Sequence, residues 1–466
     1  MLPARVYSLV IATALLIATA AEAQLSLIRF RALDPIPLAV GEDVGAQAFT
    51  LADVNKDGRL DLIAVEQDDD FFAVLLGRGD GTFDAPREYE LDCPPTAVAV
   101  ADFGSPFASD AAGDADGNPD IIVTDEDGGA FVFLGRGDGN FDPPEQELDE
   151  VLDATELIGL ATGDFDRNGR TDVAFLDAFD EVYFLCNFAG NLAPCSTDVV
   201  ETNGSGALAI GAGKLNSDDF VDLAVLSQDS GDFSVLYGAG DGSFTTDPLT
   251  FPAKADTNNK PSALAVADVD GNGLDDLVIA STETFSDLTF IVARAMGQNL
   301  FSRMSYSGPF SDMVGIALGD VDDVVGIDAV FSYHNRDGGS VGPAILPGDE
   351  TGGFNTGFDA EGLQELGSGR SVALADVGGN ARPDVVQLAA DGQSIRVAIN
   401  YTEPLCPGDC NHSGGVSVDD LIVGVLIALG DQSPSRCVAV DIDGSNTVTI
   451  NELIAAVQRA LVGCNG

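Results

Sequence analysis

A chain of 466 residues with 45% hydrophobic content can bury a large core, which excludes a disordered acidic tail and leaves room for two to four domains. Its 21 basic and 76 acidic residues give a formal charge of −55, which excludes a nucleic-acid partner and disfavours an anionic membrane surface. Bound cations would relieve the self-repulsion, and the carboxylates recur at regular intervals rather than as a diffuse solubilising coat.

Arg5, an apolar run over residues 6–20 and then Ala21-Glu22-Ala23 predict a secretory signal peptide over residues 1–23. The mature chain then begins at Gln24 and works outside the cytoplasm, secreted or at the cell surface. No later run reaches the roughly 20 apolar residues that a membrane-spanning helix needs. Seven cysteines suit an oxidising compartment. Cys186 and Cys195 are close enough in sequence to staple one hairpin. Cys406, Cys410, Cys437 and Cys464 crowd the C-terminus, where three pairings remain open. Cys93 is left over, either as a small buried residue or as an intermolecular thiol.

The stretch LADVNKDGRLD, residues 51–61, sets the pattern for most of the chain. An alternating apolar strand leads into an acidic loop, a near-continuous apolar strand leaves it, and a hairpin such as GRGDGTF follows. The last acid of each loop recurs as Asp61, Asp120, Asp172, Asp222, Asp276, Asp328 and Asp384, at intervals of 59, 52, 50, 54, 52 and 56 residues. Helical spacing is absent through this region, so short strands between Gly/Asp turns predict a mainly β, repeating array.

The loops with their following VLLGRGDGTF, FVFLGRGDGNF and FSVLYGAGDGSF resemble the FG-GAP/VCBS repeats of integrin-α-type propellers. The resemblance implies a seven-bladed β-propeller over residues 24–402, with calcium in the loop joining the first two strands of a blade. The last repeat stops at SIRVAIN, residues 394–400, without an outer strand. The N-terminal LSLIRFRAL, residues 25–33, has no blade of its own, so pairing the two would close the ring and remove exposed edges.

Three loops hold complete sets of side-chain oxygens: Asp53, Asn55, Asp57 and Asp61; Asp164, Asp166, Asn168 and Asp172; Asp268, Asp270, Asn272 and Asp276. Backbone carbonyls of Arg59, Arg170 and Leu274 complete them. Several oxygens on a flexible turn suit Ca2+ better than Mg2+, which demands stricter octahedral geometry. The second loop is interrupted: eleven residues separate Asp102 from the run of Asp114, Asp116 and Asp120, and a return of Asp102 would restore the site. Lys214 holds the first position of the fourth loop, which predicts a metal-free site. Val324 in the sixth and Gly378 in the seventh replace a ligand and predict weak sites.

Arg78-Gly79-Asp80 and Arg136-Gly137-Asp138 spell an integrin-recognition tripeptide, yet both fall inside the repeat's own hairpin, where Asp-Gly serves a tight turn. The two histidines, His334 and His412, stand in loops with no serine or cysteine arranged for nucleophilic catalysis.

From Cys406 the period changes to loop plus helix, twice. Asp409, Asn411, Ser413, Ser417 and Asp420, with the carbonyl of Gly415, match EF-hand ligand spacing. Asp441, Asp443, Ser445, Thr449 and Glu452, with the carbonyl of Thr447, repeat it 32 residues on. The helices LIVGVLIAL and LIAAVQRAL follow. This duplication resembles a type I dockerin over residues 403–466, and the resemblance implies calcium-dependent folding and a cohesin-like partner. The recognition pairs, often Ser/Thr in that family, are here Val418-Asp419 and Ile450-Asn451.

The expected function is a secreted calcium-binding propeller that acts as an extracellular binding or adhesion module for a protein or glycan. The alternative is a polysaccharide lyase, a glycoside hydrolase or a cellulosome-like assembly component docked through its tail.

Overall fold

In a computed structural model, the residues described are 28–38, 45–67, 70–104, 116–144, 146–148, 152, 154–254, 259–282, 288–297, 299–308, 313–322, 324, 326–333, 342–349, 351–355, 363–401, 408, 416–429, 440 and 448–462. The predicted signal peptide, the four C-terminal cysteines and both histidines lie outside them.

Seven antiparallel sheets make the seven blades expected from the repeat. Blade 1 is β3 (Ala46–Ala52), β4 (Asp61–Glu66), β5 (Phe71–Leu75) and β6 (Arg87–Glu90). Blade 2 is β7 (Pro95–Ala101), β8 (Asp120–Asp125), β9 (Ala130–Phe133) and β10 (Gln146–Glu147). Blade 3 is β11 (Leu157–Gly163), β12 (Asp172–Asp177), β13 (Glu181–Asn187) and β14 (Leu192–Glu201). Blade 4 is β15 (Ala207–Gly213), β16 (Asp222–Ser227), β17 (Asp232–Leu236) and β18 (Leu249–Pro252). Blade 5 is β19 (Lys260–Ala267), β20 (Asp276–Thr282), β21 (Leu288–Ala295) and β22 (Phe301–Gly308). Blade 6 is β23 (Met313–Gly319), β24 (Asp328–Tyr333) and β25 (Ala344–Leu346) among the described residues. Blade 7 is β26 (Gly369–Ala375), β27 (Asp384–Ala389) and β28 (Ser394–Asn400).

The first strands touch in a closed cycle, β3 to β7, β11, β15, β19, β23, β26 and back to β3. Closure at the outside comes from the N-terminus. The strands β1 (Phe30–Ala32) and β2 (Ile36–Pro37) pair antiparallel with β28, with Phe30 opposite Asn400 and Ile36 opposite Ile395. The otherwise open edge of the last blade is thereby covered.

The second strand of each blade is buried on both faces, which is why its sequence is nearly all apolar. In β4, Leu62 and Ala64 pack toward blade 7 while Ile63 and Val65 pack toward blade 2. The GDGxF hairpin is the other seam element. Its phenylalanine plugs into the preceding blade: Phe141 against Tyr89, Phe244 against Phe165 and Phe184, Phe354 against Phe290 and Tyr306. The buried Phe141, Phe244 and Phe354 N–H groups donate to Tyr89 Oη, Thr197 Oγ1 and Tyr306 Oη at 3.1–3.3 Å. In the two Arg-Gly-Asp hairpins Arg78 pairs with Asp84 and Arg136 with Asp142, each within its own hairpin.

Residues Phe30–Val321 and Gly326–Asn400 form one compact unit, and the C-terminal helices belong to a second. There α1 (Val418–Ala428) and α2 (Ile450–Val462) stand where LIVGVLIAL and LIAAVQRAL predict them. Ile427, Val440 and Ala456 form a small buried core with Leu421, Val423, Val448 and Leu453. Among the described residues no helix is long and apolar enough to cross a membrane.

Candidate metal centres

Each loop between the first and second strands ends on an aspartate that is buried to 2% exposure or less. Its carboxylate receives at least two backbone N–H groups in every blade, with Gly104 and Gly378 adding a third on Asp120 and Asp384. One oxygen of Asp61 accepts Val54 N–H at 3.0 Å and the other accepts Gly77 N–H at 2.7 Å. Equivalent pairs are Phe103 and Gly135 on Asp120, Phe165 and Asn187 on Asp172, and Leu215 and Gly238 on Asp222. The set is completed by Val269 and Ala295 on Asp276, Val321 and Gly348 on Asp328, and Val377 and Asn400 on Asp384. The acid thus clips the start of its loop to the end of the third strand. Burial pushes these carboxyls up, to about 7 for Asp120, Asp222 and Asp276 and about 6 for Asp172 and Asp384.

The clip was not expected from the sequence, where this acid reads only as a ligand. One signal was available: the residue persists in loops whose other ligands have been replaced by Lys214, Val324 or Gly378. A structural duty independent of any cation accounts for that persistence.

Loops 1, 3 and 5 share one backbone shape. The first aspartate caps two successive N–H groups: Asp53 those of Asp57 and Gly58, Asp164 those of Asn168 and Gly169, Asp268 those of Asn272 and Gly273. The fifth-position oxygen then accepts the N–H of Arg59, Arg170 or Leu274. Lys56, Arg167 and Gly271 at the fourth position all have φ of 60–70°. Loop 7 repeats the shape through Asp376, Asn380 and Asp384, with Gly379 at the fourth position and Ala381 in place of the sixth-position glycine.

In loop 5 carboxylate oxygens of Asp268, Asp270 and Asp276 lie within 4.8 Å of one another. Burial raises Asp276, and the neighbouring Asp270 and Asp268 charges add to it. This hard-oxygen donor set, on a loop already folded, fits a divalent cation. In loop 3, oxygens of Asp166 and Asp172 cluster equally closely with Cys186 Sγ. That sulfur is bonded to Cys195, as the spacing of the two cysteines suggested, so it is no thiolate ligand. Loop 1 places Asp53, Asn55, Asp57 and Asp61 in one turn, where Arg59 holds the Asp57 carboxylate.

Loop 2 does bring Asp102 back. Its Oδ2 accepts Gly117 N–H at 2.7 Å, the bond Asp53 makes with Gly58, while its buried Oδ1 has no partner. Asp116 caps Asn118 N–H, and Asp114 lies outside the described residues. In loop 4 the Lys214 ammonium turns out to Asp219 at 2.8 Å rather than standing among Asn216, Asp218 and Asp222.

In the C-terminal unit, Asp409, Asn411, Ser413, Gly415, Asp441, Asp443, Ser445 and Thr447 lie outside the described residues. The described remainder sits at the two helix starts, with a capping box at Ser417. Ser417 donates from its N–H and hydroxyl to Asp420, and Thr449 does the same to Glu452 at 2.7 and 2.8 Å. Cys93 is partly buried, its thiol pushed up to about 11 by burial and by the acids around it.

The FG-GAP-like repeat family matches residues 114–175 and 214–279. No curated protein matches the sequence. Among solved structures the chain is similar to BBS1N, crystallised in complex with ARL6DN and soaked with lead, at 10% identity and a TM-score of 0.51. That similarity covers 79% of this chain and 96% of the other. A protein from Lactobacillus plantarum is similar at 17% identity and a TM-score of 0.45, over 68% and 85% of the two chains. The chain carries FG-GAP-like repeats on a seven-bladed β-propeller, and its acidic clusters are able to hold metal ions.

Proposed function

We propose that this chain is a secreted binding module whose propeller is made rigid by Ca2+ in loops 1, 2, 3 and 5. The observation that carries the reading is loop 5, where three carboxylates converge within 4.8 Å and burial works against ionisation of Asp276. A divalent cation supplies the missing positive charge, and four occupied turns on one scaffold would then hold the surrounding loops in a fixed array. Metal serves structure in this reading, and an extracellular protein or glycan is the ligand. BBS1N shares the fold and was crystallised with a protein partner, so the scaffold suits that use.

The test is calcium titration of the full chain after chelation, followed by thermal unfolding and a glycan and protein binding panel. Uptake of at least three ions with a raised Tm is expected. A chelated protein that melts unchanged at low salt and takes up no calcium refutes the reading.

One observation favours the assembly alternative. Exposed Val418, Ile422 and Val425 on α1, with Leu429 at its C-cap, repeat the spacing of exposed Ile450, Ile454, Val457 and Leu461 on α2. A stripe at i, i+4, i+7 and i+11 on each helix suits docking to a cohesin-like partner. Ile422→Asp with Ile454→Asp should abolish capture of that partner while calcium uptake by the propeller is unchanged.

A further inference from the structure

Of the three complete loops, only the third lies against a disulfide among the described residues. The bond ties β13 to β14, and residues of β14 next to Cys195 grip the hairpin of blade 4. Thr197 N–H donates to Gly242 O at 3.1 Å, Phe244 N–H to Thr197 Oγ1 at 3.1 Å, and Ser196 Oγ to Asp241 O at 2.9 Å. Gly242, at φ +75°, fits flat on the bridge: a Cβ there would lie 3.1 Å from Cys186 Sγ and 3.5 Å from Cys195 Cβ. Its own N–H donates to Phe165 O at 3.0 Å, and Phe165 is the second residue of loop 3.

Both arms of Asp172 therefore lead to the same sulfur pair. One oxygen accepts the N–H of Asn187, the residue after Cys186. The other accepts the N–H of Phe165, whose carbonyl is held by Gly242. Elsewhere the second-position carbonyl is held without sulfur: by Gly81 N–H on Val377 O, by Asn187 Nδ2 on Phe103 O and by Asn400 Nδ2 on Val321 O.

We propose that the Cys186–Cys195 disulfide is a positioning device for the cation loop of blade 3, so that opening it weakens ion binding in that loop and in no other. The inference rests on the cation reading above. Asp166 and Asp172 stay as the oxygen donors, and the bridge sets their spacing through the Asn187 and Gly242 peptides.

The experiment compares the full chain with its Cys186→Ser/Cys195→Ser variant by calcium calorimetry and native mass spectrometry. One ion of the set should weaken about tenfold, the scale of a lost buried hydrogen bond, with the others unmoved. Gly242→Ala keeps the bridge and should give the same loss, which covers a double variant that fails to fold. In an Asp166→Ala background the cysteine changes should have no further effect on calcium uptake, which assigns the ion to loop 3. Unchanged affinity with a lowered ion-free Tm makes the bridge merely structural and overturns the proposal alone. A wild-type chain that binds no calcium overturns the cation reading as well.

Discussion

Asp222→Asn is the sharpest probe of the aspartate clip, because loop 4 carries Lys214 and its acid answers for structure alone. Asp222 is fully buried, accepts Leu215 N–H at 3.1 Å and Gly238 N–H at 3.0 Å, and has no cation against it, since the Lys214 ammonium is on Asp219. Burial raises its carboxyl from 3.8 to about 7. A raised folded-state value means stability that is fully present below the unfolded-state value and gone once pH has risen through about 7. Between pH 5 and 8 the wild type should lose roughly 2–3 kcal/mol through this one group. Asparagine cannot ionise. It gives up one of the two accepted hydrogen bonds at every pH, at about 1–3 kcal/mol. The variant should thus be clearly less stable than wild type at pH 5 and close to it at pH 8. Urea unfolding of both full-length proteins in chelator, at the two pH values, reads the difference directly. A wild-type-to-variant gap that stays the same at both pH values refutes the account.

Three further outcomes follow from the seams. Gly81→Ala places a Cβ 2.4 Å from Ile399 Cδ1 and 2.7 Å from Leu33 Cδ1 at φ +82°, and should cost about 2–3 kcal/mol in thermal unfolding. Removing residues 28–38 strips β1 and β2 from β28, and the exposed edge should drive concentration-dependent association in light scattering. Asp80→Ala removes the cap on Thr82 N–H and should lower stability by about 1 kcal/mol, with cell attachment unchanged.

Repeat number, strand order and ring closure were legible because each follows from local pattern. Alternation before each loop, unbroken apolar residues after it and Asp-Gly in the hairpin all specify short antiparallel strands. A last repeat lacking its outer strand, with an orphan strand at the N-terminus, left one economical way to pair them. The loop shape was legible too, since the Asp-x-Asp/Asn-x-Asp/Asn-Gly spacing caps its own N–H groups wherever it occurs.

The partners of those groups across the seams were not legible. Nothing in the spacing says that Gly242 N–H meets Phe165 O, that Asn187 and Asn400 do the equivalent work elsewhere, or that Asp102 returns to its loop after eleven intervening residues. Hydrogen bonds between blades join residues up to several hundred positions apart, and only the docked sheets bring them within 3 Å or so. The residues by themselves determined the blades and their acid-lined turns, because hydrophobic period and capping act over a few residues. Which acid oxygen faces a neighbouring carboxylate and which is spent on a backbone N–H was decided by the tertiary structure, because that choice depends on how blades close against each other.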